Sequence, residues 1–546
     1  MEERIDTADK LEKYAPRHKW LPDRPHRGFS CNGDMDAFGD ESLYRPSQVG
    51  RAYATPDQVV AGSSGPLSLT FVAGPSGVPE GATVTFVIRG QNPVGYSSTE
   101  RTRLEGPSHC TLELLDRYRF RVASGALGEG DSVTLVNQTY DWTPLSGKRE
   151  FKVVINTQDG QPEQRLPEPV VVDILPRPFD RLEATLPATR RPDDTVNVHV
   201  TARDEFDNRV PDSGVVHVHM GASTDTVCMA AGVADCTMRP PDDPVVRARV
   251  TGRAEGIHTE SNPCVTTDGL QLYVGDLHSH DFLSEAEGYS DAVYRWAIED
   301  RRLDFVSVVP QSHGWHDNET WTIVKYMNER YLDEGRFVTF PGFEWQHIEY
   351  GDKVVHFLGG DQPYLPKDDP RYSTPARLYR ALRESDAFVI SHHPCYPAGE
   401  WCSSTDYEAL ETDVERLIEL WSMHGSSEGY DLSDRPLINV DPSRMVMAAL
   451  RRGLRVGFVA GSDTHSARPG GSAKEPRPYW GGLAAVWAKS LTRRDVFAAL
   501  RARRTYALTG ARVVLKMTVN GAWMGSEIPL ADRAQIEIDV LSLIHI

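Results

Sequence analysis

Residues 272–288 read LYVGDLHSHDFLSEAEG, a short apolar run followed at once by two histidines and four acidic residues. The run Leu272–Val274 is typical of a buried strand, so His278 and His280 are predicted to lie just beyond a strand end. The same H-x-H spacing recurs at His217 and His219, where valines alternate with the histidines and no carboxylate is close in sequence. We interpret that second pair as solvent-facing strand residues, so spacing alone does not identify a metal site.

An apolar run that ends in imidazole or carboxylate occurs at six places along the chain. The residues at these ends are His278 with His280, His313, Glu344, His356, His392 with His393, and Asp463 with His465. A single histidine of this kind is more often a hydrogen-bonded core or surface residue, but six such strand ends are an improbable coincidence. In barrels of parallel strands the strand C-termini converge on one face, where active sites are built. We therefore expect these distant residues to meet in one site.

The mixture of imidazole and carboxylate groups indicates which metals would bind. Such groups together suit Zn, Mn, Fe or Co, whereas calcium prefers a shell made only of oxygen. The candidate ligands are too many for a single four-coordinate ion. We expect two or three divalent transition metal ions that share bridging carboxylates, with Asp276 orienting the neighbouring His278.

These ordered motifs resemble those of the PHP (polymerase and histidinol phosphatase) superfamily, whose fold is a distorted (β/α)7 barrel. The similarity rests on Asp276-Leu-His-Ser-His280, the strand before His313, Glu344, Ser391-His-His-Pro394 and Gly461-Ser-Asp-Thr-His465. The segments around Pro341–Trp345, Trp421–Glu428 and Trp480–Gly510 are similar to a multidomain branch that includes carbaryl hydrolases. The resemblance covers roughly residues 270 to 525.

Transferred residue by residue, the resemblance implies metal ligands at the matching positions, with Glu344 as the bridging carboxylate. These positions are His278, His280, His313, Glu344, His393, Asp463 and His465, and His356 matches a position of the branch. The chain departs from the family at Ser284-Glu285-Ala286, where Ser-Asp-Gly or a nearby histidine is more usual. Glu285 is the ligand we expect there, with Glu287 or no ligand as the alternatives. The aspartate that normally precedes His313 is replaced by serine.

The expected reaction is hydrolysis without a covalent intermediate. Metals that share a carboxylate can lower the pKa of water towards about 7, which supplies a metal-bridging hydroxide at neutral pH. The resemblance implies an ester-type bond of a small molecule, either an aryl ester or carbamate or a phosphoester. The candidate catalytic residues are His356, His392, His424 and Arg468. Arg468 and His424 are candidates to clamp an anion, and a loop-stabilising ion pair explains Arg468 equally well.

Two other functions are compatible with the sequence. One is a phosphoesterase that acts on a phosphorylated metabolite. The other, from a different class, is a non-catalytic binding protein in which β-domains bind and a degenerate barrel is only structural. The intact pairs His278 with His280 and Asp463 with His465 argue against the second, because the decay of a site usually removes its ligands.

The pattern of strand-like and helical segments changes along the sequence and predicts a multidomain chain. Residues 1–50 are read as an irregular arm, 51–150 as a β-sandwich-like domain, 151–270 as a second, Ig-like β-sandwich, 271–510 as the PHP-like α/β barrel, and 511–546 as a β segment. Short alternating runs between Gly, Pro and Asn turns indicate the β-domains. After residue 271 strand-like runs alternate with helical segments, for example behind Thr374-Pro375 and Thr492. The last residues stop inside an apolar run, which favours a truncated or frame-shifted end.

The composition limits the partners. The net charge of −19 opposes attraction to nucleic acid or to an anionic membrane. The first 20 residues lack the apolar core of a secretory signal and no long apolar run follows, so the sequence predicts a cytoplasmic protein. Seven cysteines without a C-x-x-C motif argue against a disulfide framework. A small-molecule substrate is expected, and a homo-oligomer is compatible with the sequence.

Overall fold

The chain is multidomain and mostly β, with β-sandwich domains that precede mixed α/β sheets. The computed structural model describes residues 46–88, 101–157, 164–166, 168–252, 256–281, 286, 290–311, 318–396, 403–429, 437, 440–471, 481–529 and 531–542. The chain divides into two compact units, Met1–Pro178 and Phe179–Ile546. Almost the whole predicted arm at 1–50 lies outside the described residues.

The first unit is built from two sheets behind a short helix at Pro46–Val49. Its strands are β1 (Gly50–Thr55), β2 (Gln58–Val60), β3 (Ser64–Ala73), β4 (Thr83–Ile88), β5 (Thr102–Glu105), β6 (Thr111–Asp116), β7 (Arg119–Ser124), β8 (Ser132–Asp141), β9 (Gly147–Asn156), β10 (Gln164–Arg165) and β11 (Val170–Leu175). One sheet has the order β1-β3-β8-β5 and the other β2-β11-β9-β4-β7-β6, with β10 beside β9. Burial alternates along β7 and β8 because successive side chains point to opposite faces.

The buried face of these sheets forms an apolar core. Phe71, Phe86 and Phe120 are among its fully buried side chains. The sequence-based prediction of an N-terminal β-sandwich is therefore confirmed, and the alternating runs at 82–88 and 132–136 correspond to β4 and β8. Strand β9 crosses the position 150/151 at which the sequence suggested a domain boundary, and it pairs with both β4 and β11.

The second unit begins with further β-structure. Its strands are β12 (Arg181–Thr185), β13 (Thr189–Arg190), β14 (Val196–Arg203), β15 (Val215–Met220), β16 (Ser223–Cys228), β17 (Val233–Met238), β18 (Val245–Val246), β19 (Arg249–Thr251), β20 (His258–Glu260) and β21 (Cys264–Thr266). They form sheets of order β12-β14-β17, β13-β21-β18 and β16-β15-β19-β20. Valines of β14 and β15 fill one core. On the other face of β15, His217 is exposed and His219 half-buried, each beside a threonine of β16, as predicted.

Two five-stranded mixed sheets follow. Their strands are β22 (Gln271–Ser279), β23 (Phe305–Val308), β24 (Val338–Thr339), β25 (Gly342–Trp345), β26 (Lys353–Phe357), β27 (Ala387–Ser391), β28 (Glu415–Glu419), β31 (Gly457–Val459), β32 (Leu483–Ala488) and β33 (Thr505–Leu508), and a small hairpin adds β29 (Trp421–Ser422) and β30 (Gly425–Ser426). The sheet orders are β24-β23-β22-β32-β33 and β25-β26-β27-β28-β31. One apolar cluster joins the two sheets, with Leu277, Phe340 and Phe388 among its members.

The strand directions differ from those of a simple parallel barrel. β22 pairs parallel with β23, but β32 is antiparallel to both its neighbours, and β26 is antiparallel to β25 and β27. Isolated parallel bridges, Ser279 with Thr464 and Gln311 with Glu344, connect the two sheets. Within the described residues no closed TIM barrel forms, so the ligand-bearing strands meet between two open sheets rather than around one closed ladder.

Helices flank these sheets. They span Ser290–Arg295, which continues into a π-helical turn at Trp296–Asp300, then Asn318–Tyr331, Pro375–Arg383, Val446–Arg451 behind a 3-10 turn at Pro442–Arg444, and Arg493–Arg501. Two starts agree with the sequence prediction. Pro375 occupies the first turn behind Thr374, and the Thr492 side chain accepts a hydrogen bond from the Asp495 backbone N–H.

The C-terminal segment forms a small antiparallel sheet. Its strands are β34 (Val514–Val519), β35 (Ala522–Trp523) and β36 (Ile536–Leu541), in the order β35-β34-β36. These strands lie in the stretch that the sequence predicted as a β segment, 511–546. Residues 543–546, which include the end of the predicted apolar run, lie outside the described residues. Among the described helices, none is long and apolar enough to cross a membrane.

Candidate metal centre

The centre begins where strand β22 ends. Every residue of β22 except Tyr273 is buried, and the strand delivers His278 and then His280 into the space between the two sheets. The Asp276 carboxylate accepts hydrogen bonds from the backbone N–H groups of His278, at 3.0 Å, and Gly470, at 2.9 Å. Asp276 therefore supports the backbone of His278, whereas the sequence predicted that it orients the imidazole, and the imidazole Nδ1 contacts Glu419 instead.

The innermost ligand group comprises His278, His280 and Asp463. The two Nε2 atoms lie 3.1 Å apart, and Asp463 Oδ1 lies 2.9 Å from His280 Nε2. Two nitrogen ligands at about 2.1 Å from one ion are separated by roughly 3.4 Å in tetrahedral coordination. All three side chains are buried, and their ligand atoms lie within 4.8 Å of one another. This group has the donor set and spacing of a transition-metal site.

Glu344 lies between the inner group and the next. Its Oε2 is 3.5 Å from His280 Nε2 and 3.8 Å from His278 Nε2, and its Oε1 is 3.9 Å from His392 Nε2. Burial alone would raise the pKa of Glu344, but the surrounding imidazoles hold it well below its usual range. Glu344 thus has histidines on both sides, and its bridging role stays a prediction that this arrangement allows.

Glu419 contacts two of the histidines through their Nδ1 atoms, on the side of each ring opposite to Nε2. The Nδ1 atoms of His278 and His392 lie 3.2 Å and 2.8 Å from its two carboxylate oxygens. Burial would raise the pKa of Glu419, but His392 and His278 hold it below its usual value. Because Nδ1–H donates to Glu419 in both rings, both Nε2 atoms face the space that Glu344 and Asp463 share.

A second set of ligand atoms lies farther out. His392, His393 and His424 form one group, and Glu344, Asp352 and His393 form another. His424 Nε2 is 2.8 Å from Asp463 Oδ2, and His393 Nε2 is 3.4 Å from Asp352 Oδ2. Burial, followed by the charge of Glu344, raises the pKa of Asp352 to about 8. His424 retains 19% of its side-chain exposure, so this side of the cluster opens towards solvent.

The hydrogen bonding of the cluster fits bound cations. Glu344 Oε2, both Asp463 oxygens, Asp352 Oδ2 and His393 Nδ1 are buried without a hydrogen-bond partner. The nearest nitrogens, of His424 and His280, lie 2.8 Å and 2.9 Å from the two Asp463 oxygens. Buried polar atoms without a protein partner call for an explanation, and a bound ion is one that suits carboxylate and imidazole atoms.

Charge leads to the same conclusion. In the described residues, the ion pairs of Glu344, Glu419 and Asp463 are all with histidines. Burial and the neighbouring His392 act to lower the pKa of His278, but the surrounding carboxylates raise it to about 9. Buried carboxylates therefore recruit protons onto the imidazoles, and divalent cations would replace those protons on binding.

Other predicted site residues lie at the edge of this cluster. His465 is close to it, with its ring 4.6 Å from that of His280, but its Nδ1 lies 3.0 Å from the Asp463 backbone oxygen. His356 lies deeper in its sheet, because it pairs with Gly342 rather than with Glu344. Its Nε2 donates to the Leu277 carbonyl at 2.9 Å, and its ring stacks on Phe388. Among the described residues, neither histidine joins the four ligand groups.

Three remaining predictions have separate outcomes. Glu285 and His313 lie outside the described residues, so their roles as ligands stay predictions. The guanidinium of Arg468 donates to Asn208 Oδ1 at 2.8 Å and lies 4.6 Å above the Trp296 ring. The loop-stabilising interpretation of Arg468 therefore agrees with the contacts better than an anion clamp does.

Three residues of the site were not predicted from the sequence, namely Glu419, Asp352 and Tyr396. Glu419 ends the apolar strand β28, so the rule that located the other strand ends would also have selected it. Asp352 precedes strand β26 instead of following it, and only the antiparallel pairing of β26 with β27 brings it close to His393. The half-buried Tyr396 packs against the rings of His393 and His424, at 4.7 Å and 5.1 Å. No spacing in the sequence marks that contact.

Replacement of Glu419 by glutamine tests its orienting role. One amide oxygen can accept from one Nδ1–H, but the amide NH₂ then meets the donor of the second ring. We expect the affinity for Mn²⁺ or Zn²⁺ to fall roughly 10- to 100-fold, as is typical when an outer-shell partner is lost. Titration calorimetry measures it. Glu408→Gln, at a side chain with 79% exposure, is the control and should bind metal like the wild type. Equal affinities for both variants would contradict the role of Glu419.

Comparisons with known proteins add sequence relatives. Residues 472–536 match the family described as "Protein of unknown function (DUF3604)". Over 289 residues the chain is 26% identical to an uncharacterized protein of Chlamydia pneumoniae, an alignment that covers 50% of this chain and 45% of the relative. An uncharacterized protein of Chlamydia muridarum is 25% identical over 286 residues, with the same coverage. The chain thus spans less than half the length of these curated relatives.

Among solved structures, the likeness is low in both identity and overlap. The Yersinia pseudotuberculosis adhesin InvE is 14% identical and aligns with 40% of this chain and 58% of its own, at a TM-score of 0.16. The D00-D0 domain of intimin is 9% identical and aligns with 40% of this chain and 100% of its own, at a TM-score of 0.19. By sequence, then, the chain is similar to chlamydial proteins over half its length and to the DUF3604 family near its C-terminal end.

Proposed function

We propose that this protein is a metal-dependent hydrolase of the PHP type that cleaves an ester-type bond of a small molecule. The observation that carries the proposal is the buried meeting of His278 Nε2, His280 Nε2, Glu344 Oε2 and Asp463 Oδ1, whose carboxylate oxygens lack hydrogen-bond partners. In this proposal the two five-stranded sheets are the two halves of a distorted (β/α)7 barrel. The bridges Ser279–Thr464 and Gln311–Glu344 support that interpretation.

The four ligand groups suit two or three divalent transition ions. The inner ion would be held by His278, His280 and Asp463, and an outer one by His392, His393 and His424, with Glu344 between them. Such ions supply Lewis acidity, which lowers the pKa of water and stabilises negative charge on a phosphoryl or carbonyl oxygen. The mixed nitrogen and oxygen donors favour Zn, Mn or Fe over calcium.

The residues of the chain itself would orient the substrate and move protons. His424 is the most exposed imidazole of the four ligand groups; where His392 and His393 hold the outer ion without it, its ring can pass a proton to a leaving group at the open side. Tyr396 packs on His393 and His424 and forms an aromatic wall there. That wall favours substrates with an aryl group, namely aryl esters, carbamates or phosphoesters.

A second candidate is a phosphoesterase that acts on a phosphorylated metabolite. It is favoured by the concentration of buried carboxylates, because two or three divalent ions in such a cluster bind a dianionic phosphate well. Arg468 gives this candidate no support, since its guanidinium is directed at Asn208 and Trp296. A non-catalytic binding protein is disfavoured, because the inner ligand group is intact and its ligand atoms lie within 4.8 Å of one another.

Metal content and a substrate panel test the proposal together. We expect at least one equivalent of transition metal per purified chain, measured by plasma mass spectrometry. We also expect turnover of at least one of an aryl phosphate, an aryl ester and an aryl carbamate. Turnover should disappear on chelation and return when Mn²⁺ or Zn²⁺ is added. Less than one metal ion per chain would contradict the metal site, and a metal-loaded protein that is silent on the whole panel would contradict the reaction class.

A further inference from the structure

The loop at 460–470, which follows strand β31 and is called the ligand loop below, carries the predicted ligands Asp463 and His465. Its backbone adopts an unfavourable conformation at two residues. Asp463 has φ of 53° and Ala467 has φ of 57°, in the left-handed region that disfavours residues with a β-carbon. Two such residues within five positions do not keep this conformation by local preference. Contacts from outside the loop must therefore hold Asp463 and His465 in place.

The ends of the loop are held by one carboxylate. Asp276 is fully buried, and its Oδ1 and Oδ2 accept from the backbone N–H groups of Ser462, at 3.0 Å, and Gly470, at 2.9 Å. The middle of the loop, which includes Ala467, lies between these two anchors. Arg468 is the long side chain that leaves this middle part towards other elements.

Arg468 reaches the β-structure that opens the second unit. Its Nη1 donates to Asn208 Oδ1 at 2.8 Å, and the guanidinium lies 4.6 Å from the centroid of Trp296. Asn208 is itself fully buried, and its Nδ2 donates to Asp204 Oδ2 at 2.8 Å. The Asp204 contact fixes the amide orientation, so Oδ1 is presented to Arg468 as an acceptor.

The residues that Arg468 contacts lie beside a buried network of ion pairs. Arg203 is fully buried and contacts Glu183 at 2.9 Å and Asp300 at 3.1 Å. Its guanidinium lies 5.4 Å from the ring of Trp296, the same ring that Arg468 covers from 4.6 Å. The network thus connects strands β12 and β14 to the turn Trp296–Asp300. Arg468 contacts Asn208, which follows β14, and Trp296, which belongs to that turn.

We infer that Arg468 is a positioning residue through which the β-domain at 179–270 holds the ligand loop in its metal-binding conformation, an inference that rests on the proposed metal function. A guanidinium can stack on the indole and donate to the amide at once, and lysine lacks the planar fork for both contacts. The β-domain would then be a working part of the metal centre rather than an independent binding module.

The experiment compares variants of the full chain by their affinity for Mn²⁺ or Zn²⁺ alone, measured by calorimetric titration of the metal-free protein. We expect Arg468→Met to weaken metal binding about 10- to 100-fold, because it keeps an apolar stem over Trp296 but removes the donors. Arg468→Lys should recover only part of the loss. Asn208→Ala should produce a similar loss, and combining it with Arg468→Met should add little, because both changes break one contact.

A matched control distinguishes the positioning of the ligand loop by Arg468 from a general weakening of the ionic network. Arg209 lies 3.3 Å from Asp300 in the same network, and among the described residues it has no hydrogen bond or ion pair with the ligand loop, so Arg209→Ala should bind metal like the wild type. If Asn208→Ala does not fold, the comparison of Arg468→Met with Arg209→Ala decides the question. The inference is overturned if Arg468→Met binds metal within twofold of the wild type, or if Arg209→Ala loses as much affinity. A wild-type protein that binds no metal would instead overturn the proposed function.

Discussion

His278→Ala is expected to abolish stable metal binding and, with it, metal-dependent turnover. His278 contributes to two of the four ligand groups, and its Nε2 lies 3.1 Å from His280 Nε2. Its loss also leaves one oxygen of Glu419 without the Nδ1–H partner at 3.2 Å. The loss of affinity should therefore exceed the roughly 100-fold that marks the upper range for an outer-shell partner. Metal content after dialysis and calorimetric titration measure it.

The control for this variant has the same local sequence pattern. His217 belongs to an identical H-x-H spacing on strand β15, where it is exposed and faces Thr226. His217→Ala should keep the metal content and turnover of the wild type. If both alanine variants retained metal, the ions would be bound elsewhere and the inner group would not be the site.

The largest effect on stability is expected for Lys353→Met. Lys353 and Glu415 are almost completely buried, with the ammonium 3.0 Å and 3.2 Å from the two carboxylate oxygens. Tyr379 and Ser391 also donate to Glu415. Removal of the ammonium leaves a buried charge uncompensated, which typically costs about 3–5 kcal/mol. The change in unfolding free energy would be measured by urea titration.

The double variant Lys353→Met with Glu415→Gln distinguishes charge from packing. Glutamine keeps an acceptor for one of the two hydroxyls, the other hydroxyl can rotate to accept from the amide NH₂, and the pair becomes neutral, so most of the lost stability should return. Arg371→Ala, which removes the exposed contact with Asp369 at 2.6 Å, should leave the urea midpoint unchanged. If the double variant were as unstable as Lys353→Met, the loss would come from packing around the methionine.

The location of this ion pair connects stability with the metal centre. Lys353, the first residue of β26, follows Asp352, and Ser391, the last residue of β27, precedes His392. Lys353 and Ser391 pair across the antiparallel strands. The buried pair therefore lies directly beneath the outer ligand group. We expect the unfolding transition of Lys353→Met to respond to added metal, because ions that bind only the folded state stabilise it by mass action.

Much of the centre was predictable from the order of residues along the chain. An apolar strand that ends in imidazole or carboxylate is a local feature, and it located His278, His280, Glu344, His392 and Asp463, which the structure brings together. The same reasoning separated His217 and His219 from the centre, because their strand alternates with valine and no ligand-bearing strand ends next to it. The helix starts at Pro375 and Arg493 were equally local, since each depends on a threonine immediately before it.

The remaining features depend on pairings between distant segments. Strand direction is one of them: β26 and β32 run antiparallel to their neighbours, and a strand's apolar pattern is the same in either direction. The antiparallel course of β26 is what places Asp352 beside His393 and moves His356 away from Glu344 to the Leu277 carbonyl. Local sequence therefore identified the ligand types and most of their positions. Only the tertiary structure decided that His278 and His392 both contact Glu419, and that Arg468 donates to Asn208. These contacts join residues that are 27 to 260 positions apart, so no local pattern predicts them.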